Sequence, residues 1–136
     1  MSVPVYKRTE QKLEVITNAI DLAKHTMHLT HNEKHFPKRY RWIITQKIVN
    51  TALDIVTNVR KANNIRIEEK SDLLQRRQYQ IDALNDCEVL LTLIEIAYSM
   101  FNLESGSVEY WTGLIVKQEQ LISKWRKSDR DRHREL

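Results

Sequence analysis

Between residues 44 and 62, Ile44, Ile48, Thr51, Ala52, Ile55, Val59 and Ala62 recur at steps of three and four. An α-helix turns once in about 3.6 residues, so this spacing gathers all of them on one face. The same rhythm returns in three other stretches. Leu13, Ile16, Ile20, Ala23 and Met27 predict a first helix over about 9–29. Pro37 then interrupts, and 30–37 reads as a connection. The second helix is expected to open near Lys38 and stop at the Asn63-Asn64 pair. A third, over about 67–102, carries two neighbouring stripes. One holds Leu74, Ile81, Leu84, Leu91 and Tyr98; the other Leu73, Ala83, Cys87, Leu90, Ile94, Ala97 and Phe101. From Val89 to Tyr98 it is apolar nearly all round, broken by Thr92 and Glu95. A helix with one wet side does not need that, so a second face is expected to meet another subunit. Ser105-Gly106-Ser107 reads as a turn, with Ser107 as N-cap and Glu109 in the first turn of the last helix. That helix carries Trp111, Leu114, Ile115, Leu121, Ile122 and Trp125. After Lys127, the segment SDRDRHREL offers no apolar stripe before Leu136.

Four amphipathic helices with short connections predict an all-α fold, an antiparallel up-down four-helix bundle. One domain is expected over 1–128, followed by a charged, disordered tail over 129–136. A chain of 136 residues can bury about two thirds of its unfolded surface without staples. Two glycines and two prolines are too few for a turn-rich β protein. No apolar run approaches the ~18 residues that span a bilayer, and MSVPVYKRTEQ lacks the apolar stretch of a signal peptide. A lone cysteine, Cys87, excludes an intramolecular disulfide framework. These features predict a cytoplasmic protein with no membrane partner.

Charge is unevenly distributed. Between residues 34 and 66, Lys34, Lys38, Arg39, Arg41, Lys47, Arg60, Lys61 and Arg66 face only Asp54. Eight cations against one carboxylate give +7, and the chain total of +4 leaves −3 for the rest. Such asymmetry points to a polyanionic partner, with a solvated helix face as the plainer alternative. KRYRW is the densest part: Lys38, Arg39 and Arg41 can neutralise phosphates, while Tyr40 and Trp42 are candidates to stack on unpaired bases. Trp42 can equally anchor the core. Arg60, Lys61 and Arg66 form a second candidate patch, and Lys124, Arg126 and Lys127 a third.

Other chemistry is thinner. His25, His28, His31 and His35 would share one side of a continuous helix, as zinc ligands do. Pro37 disfavours a helix reaching that far, so the metal reading is the weaker one. Histidines in a last helical turn serve its negative end, and they can also donate to phosphate. Cys87 reads as a small apolar residue. Glu88 and Glu95 are expected to pair with a cation from another helix or subunit. No catalytic constellation and no cofactor are expected.

The run HFPKRYRWIITQKIVNTALDIVTNVRKAN carries a family resemblance. Phe36-Pro37, Gln46, Ala52 and Asn58 occupy the places of the second-helix signature of the four-helix-bundle family that includes proteins encoded in ribosomal RNA intervening sequences. Within it, PVYKRTEQKLEVI, NVRKAN and LISKWRKS are more similar to the accessory variability determinant (Avd) branch of diversity-generating retroelements. The resemblance spans about Val5 to Ser128. It implies a ring-like homopentamer with a basic surface, a non-catalytic partner of a reverse transcriptase that also binds RNA or DNA. It implies no role for the histidines. An oligomeric module that binds protein alone remains the rival reading.

Overall fold

The computed structural model describes the backbone from Val5 to Leu136 and side chains from Glu14 onward. Leu13, the start of the first predicted stripe, lies outside the described side chains, as does most of the PVYKRTEQKLEVI motif. Four long helices follow in order: α1 (Val5–Thr30), α2 (Gln46–Asn64), α3 (Lys70–Met100) and α4 (Ser105–Arg132). Among the described residues there is no strand. Helices α1 and α3 each pack against both α2 and α4. No helix of the described residues is long and apolar enough to cross a membrane.

The α2 stripe lands as its spacing requires. Ile44, Ile48, Thr51, Ala52, Ile55, Val59 and Ala62 are all buried, Ile48, Ile55, Val59 and Ala62 completely. On α3 the stripe of Ala83, Cys87, Leu90, Ile94 and Ala97 is the buried one. Its neighbour is pushed outward: Leu84 and Leu91 pack on the core's edge, while Leu74 and Tyr98 are exposed. Helix α1 is turned part of the way from its predicted face. Ile16 and Ala23 are buried and Ile20 is partly so, but Val15, Ala19, Leu22 and Thr26 are its deepest positions, and Met27 is exposed. The inward face admits polar groups because each finds a partner. Trp111 Nε1 donates to Thr26 Oγ1 at 2.9 Å, and that hydroxyl donates to Leu22 O at 2.7 Å. Asn18 Nδ2 donates to Gln118 Oε1 at 2.8 Å, and Gln118 Nε2 donates to Val15 O at 3.1 Å.

The ends of the helices correct several expectations. Before α2, a 3-10 turn (Lys38–Tyr40) follows Pro37, and a π turn (Arg41–Thr45) leads into the helix. Helix α3 begins at Lys70, where the Glu68 and Glu69 amides donate to Asp72 Oδ2 at 3.0 and 2.9 Å. Those amides hold the Asp72 carboxyl below its ordinary range. Helix α4 starts at Ser105, so Ser107 is not its N-cap; its hydroxyl donates instead to Glu104 Oε2 at 3.4 Å.

The largest difference lies at the far end of α4. The segment over 129–132 is helical, and Asp129 is only 2% exposed. Its Oδ1 accepts from Arg76 at 3.0 Å and from Arg132 at 2.9 Å, and its Oδ2 accepts from Gln80 at 3.1 Å. Arg76 also donates to Ala62 O at 3.1 Å and to Ile65 O, the carbonyls that end α2. Three helix ends are thus joined through one carboxylate and one guanidinium. Mixed charge gave that segment something to bury after all, because each charge has a partner.

Candidate nucleic-acid interface

Phe36 fixes the corner that carries KRYRW. It is buried, with its ring edge-on to Phe101 at 5.8 Å and Trp111 at 6.1 Å. His35 Nδ1 donates to Asn102 O at 2.7 Å and ties the same connection to the end of α3. Tyr40 leans on Phe101 at 5.1 Å, and the Arg39 guanidinium lies 5.3 Å from the Tyr40 ring. Tyr40 is therefore half-buried scaffold, with little of its face left for a base.

The π turn then decides the fate of the other aromatic. A π turn places one extra residue in the helical register, so the apolar phase slips there. Ile44 and Thr45 turn inward, while Trp42 and Ile43 stay 77% and 70% exposed. Trp42 is not a core anchor. Close to it in the chain, Lys38, Arg39 and Lys47 are exposed and have no carboxylate within 4.0 Å among the described residues. Arg41 meets Glu33 at 3.3 Å, but both side chains are about half exposed. A pair of that kind contributes about 0–1 kcal/mol and leaves the guanidinium exchangeable.

The candidate cations do not form one strip. Lys38, Arg39 and Arg41 stand at the end of the molecule where Phe36 meets Phe101. Arg60 and Lys61 stand near the end of α2, about 21 Å from its first residue along a helix rising ~1.5 Å per residue. Lys61 lies 5.7 Å from the Tyr79 ring, and Arg66 meets Glu68 at 3.3 Å. Lys124 and Lys127 are exposed near the end of α4, across the core from α2. Arg126 is partly covered, and its Nε is buried without a hydrogen-bond partner among the described residues. The observed arrangement is thus one cationic corner with an exposed indole, and separate cations at the opposite end.

Helix α1 ends at Thr30, so the histidines do not continue along one helix face, although His28, His31 and His35 line one shallow groove. His25 packs edge-on against Tyr110 of α4 at 5.0 Å. Burial first, then the charge of His28, holds its imidazole below the ordinary range. His25 is thus ill suited to supply positive charge at the helix end. His28 and His31 are exposed, and His35 is engaged with Asn102. Among the described residues, no three His, Cys, Asp or Glu side chains are grouped to hold a metal ion.

Residues of the second-helix signature have separate structural tasks. Phe36 and Ala52 are buried, and Asn58 Nδ2 donates to Asp86 Oδ2 at 2.7 Å, joining α2 to α3. Among the described residues Glu88 meets no cation from another helix of the chain; its neighbour is Glu119 of α4. Burial first, then the hydrogen bond and charge of Glu88, pushes the Glu119 carboxyl up to about 7. The unfolded carboxyl titrates near 4.5, so between about 4.5 and 7 the folded chain keeps a proton that the unfolded chain has lost. Stability should therefore fall as pH rises through that window. Denaturation midpoints at pH 5 and pH 8 check this, and Glu119→Gln should flatten the difference by making the site neutral at both. Cys87 is buried and free, and burial pushes its thiol far above the ordinary range, so it is an inert core residue.

Comparison with known proteins returns nothing similar: no family model, no curated protein and no solved structure matches this chain.

Proposed function

We propose that this chain is a non-catalytic, nucleic-acid-binding accessory protein of the Avd type, acting beside a reverse transcriptase in a diversity-generating retroelement. The observation that carries the reading is the corner at the start of α2. There Lys38 and Arg39 stand without a carboxylate partner among the described residues, next to an indole that is 77% exposed. Cations neutralise phosphates and an exposed aromatic face accepts a base, whereas a purely solvated helix end has no use for the latter. The likeness of HFPKRYRWIITQKIVNTALDIVTNVRKAN to the family's second helix supplies the identity of the partners. No cofactor and no membrane enter this reading, and its setting is the cytoplasm.

The architecture proposed with it is an antiparallel up-down four-helix bundle that assembles as a ring-like homopentamer. Contacts between Asn18 and Gln118, and between Thr26 and Trp111, support opposed directions for α1 and α4. Arg76 near the start of α3 meeting Asp129 near the end of α4 supports the same for that pair. Self-association draws support from the outer side of α3, where Leu74, Val89, Ile96 and Met100 are exposed. Apolar side chains aligned along a solvent-facing helix mark an interaction surface. The same surface suits the rival reading, an oligomeric module of the ribosomal RNA intervening-sequence type that binds protein alone.

Nuclease-treated, high-salt-washed protein separates the two. A structured RNA should shift to a protein-bound species with the first reading, and remain free with the second. Sedimentation of the same sample should give a mass several times that of the 16.2 kDa chain. A monomer at micromolar concentration would contradict the assembly.

A further inference from the structure

Beside Trp42 lies a groove of about 460 Å³, between the end of α1 and the π turn. Trp42 and Met27 line it with exposed apolar surface, Val49 lies along it, and Arg41 and Gln46 contribute polar groups. Thr45 also lines it; the residue is 8% exposed, and its hydroxyl is buried with no hydrogen-bond partner among the described residues. A buried hydroxyl without a partner is unusual in a folded protein. Resting on the nucleic-acid reading above, we infer that this groove is a slot for one unpaired nucleobase.

Three properties favour a base over other occupants. The exposed indole gives a flat stacking face, and stacking on such a face is tolerant of base identity. The Gln46 amide and the His31 imidazole are donor and acceptor groups of the kind that meet a base edge, and both line the groove from exposed positions. Arg41 brings a cation into the groove itself, and Lys38 and Arg39 precede it by three and two residues in the chain, which suits a group that arrives attached to a phosphate. An apolar side chain from a partner protein would satisfy the indole but leave the cations unmatched. A paired base keeps its faces within its own stack and cannot enter. The slot therefore makes the corner selective for single-stranded or bulged segments over duplex of equal charge.

The tryptophans make this readable in solution. Trp111 and Trp125 are 1% and 2% exposed, so the indole that a ligand can quench is Trp42. A single-stranded RNA octamer should quench that emission on binding, and an RNA hairpin of matching phosphate count without unpaired bases should quench it little. Trp42→Ala should weaken octamer binding by roughly five- to hundredfold. It should leave hairpin affinity and the salt dependence of both ligands unchanged, and Trp42→Phe should restore much of the loss. Circular dichroism should show the helices intact in both variants, since the side chain lies in solvent. Equal octamer binding by wild type and Trp42→Ala, with hairpin binding preserved, would overturn the slot while the nucleic-acid reading stands; the indole would then serve a protein contact. Failure of wild type to bind either RNA at low salt would overturn that reading and the slot with it.

Discussion

Asp129→Ala should cost about 3–5 kcal/mol of folding stability, the range for breaking one side of a buried ion pair. The loss would not be that of a single contact. Asp129 accepts from Arg76, Arg132 and Gln80, and Arg76 is only 4% exposed. Removing the carboxylate strands a guanidinium inside the protein, where it can neither deprotonate nor reach water readily. Small domains have about 5–15 kcal/mol in total, so the variant should be close to unfolding at physiological temperature. Urea denaturation would read the effect as a lower midpoint with an unchanged slope. Ending the chain after Ser128 should be at least as damaging. Arg130→Ala, an exposed neighbour, should move stability by less than about 0.5 kcal/mol. Equal tolerance of all three changes would mean that 129–136 is a dispensable tail.

Reversing Arg39 and Arg41 to Glu should lower affinity for structured RNA on the order of tenfold or more, and reduce the salt slope by about 1–2 phosphate contacts. Both residues are exposed, and Glu33, the carboxylate that meets Arg41 among the described residues, is itself exposed, so the fold should survive. Lys124→Glu with Lys127→Glu is the matched control, since it changes the same number of charges at the other end of the molecule. A smaller loss there would place the nucleic acid at the Trp42 corner. Equal losses from the two pairs would mean a diffuse attraction to net charge, with no preferred docking site.

How much of this was legible in the chain depends on how local the determining contact is. The α2 stripe needed only its own spacing, and every predicted position from Ile44 to Ala62 is buried. On α3, the buried stripe continues from Ala83 back through Gln80 to Arg76, at the same steps of three and four. A search for apolar residues alone jumps from Ala83 to Leu73 and misses the two polar residues between them. The pairing of Arg76 with Asp129 spans 53 positions, so neither residue announces its partner. Read locally, Asp129 belongs to a run of mixed charge, which is the composition of a disordered tail. Glu88 misled in the opposite way: the expected cation is absent from the described contacts and a second carboxylate takes its place.

The candidate site was half legible. KRYRW marked the cations by composition, and their exposure follows from charge. Whether Trp42 lay in the core or in solvent could not be read from it, because an uninterrupted helix from Lys38 and one entered through a π turn place position 42 differently. The structure settles Trp42 outward and Tyr40 half inward. The continuous helix that would have aligned the histidines likewise ends at Thr30. Lys124, Arg126 and Lys127 share a charge with Lys38 and Arg39 but not a location, and sequence carries no signal for that separation.

The corner at Lys38, Arg39 and Arg41 should attract phosphates. The most direct measurement is the affinity of nucleic-acid-free protein for one structured RNA across a salt series. A straight, steep fall of log affinity with log salt is predicted, about 0.7–0.9 per phosphate neutralised, shallower once Arg39 and Arg41 are reversed. An affinity that ignores salt, or a slope that the reversal leaves untouched, would contradict it.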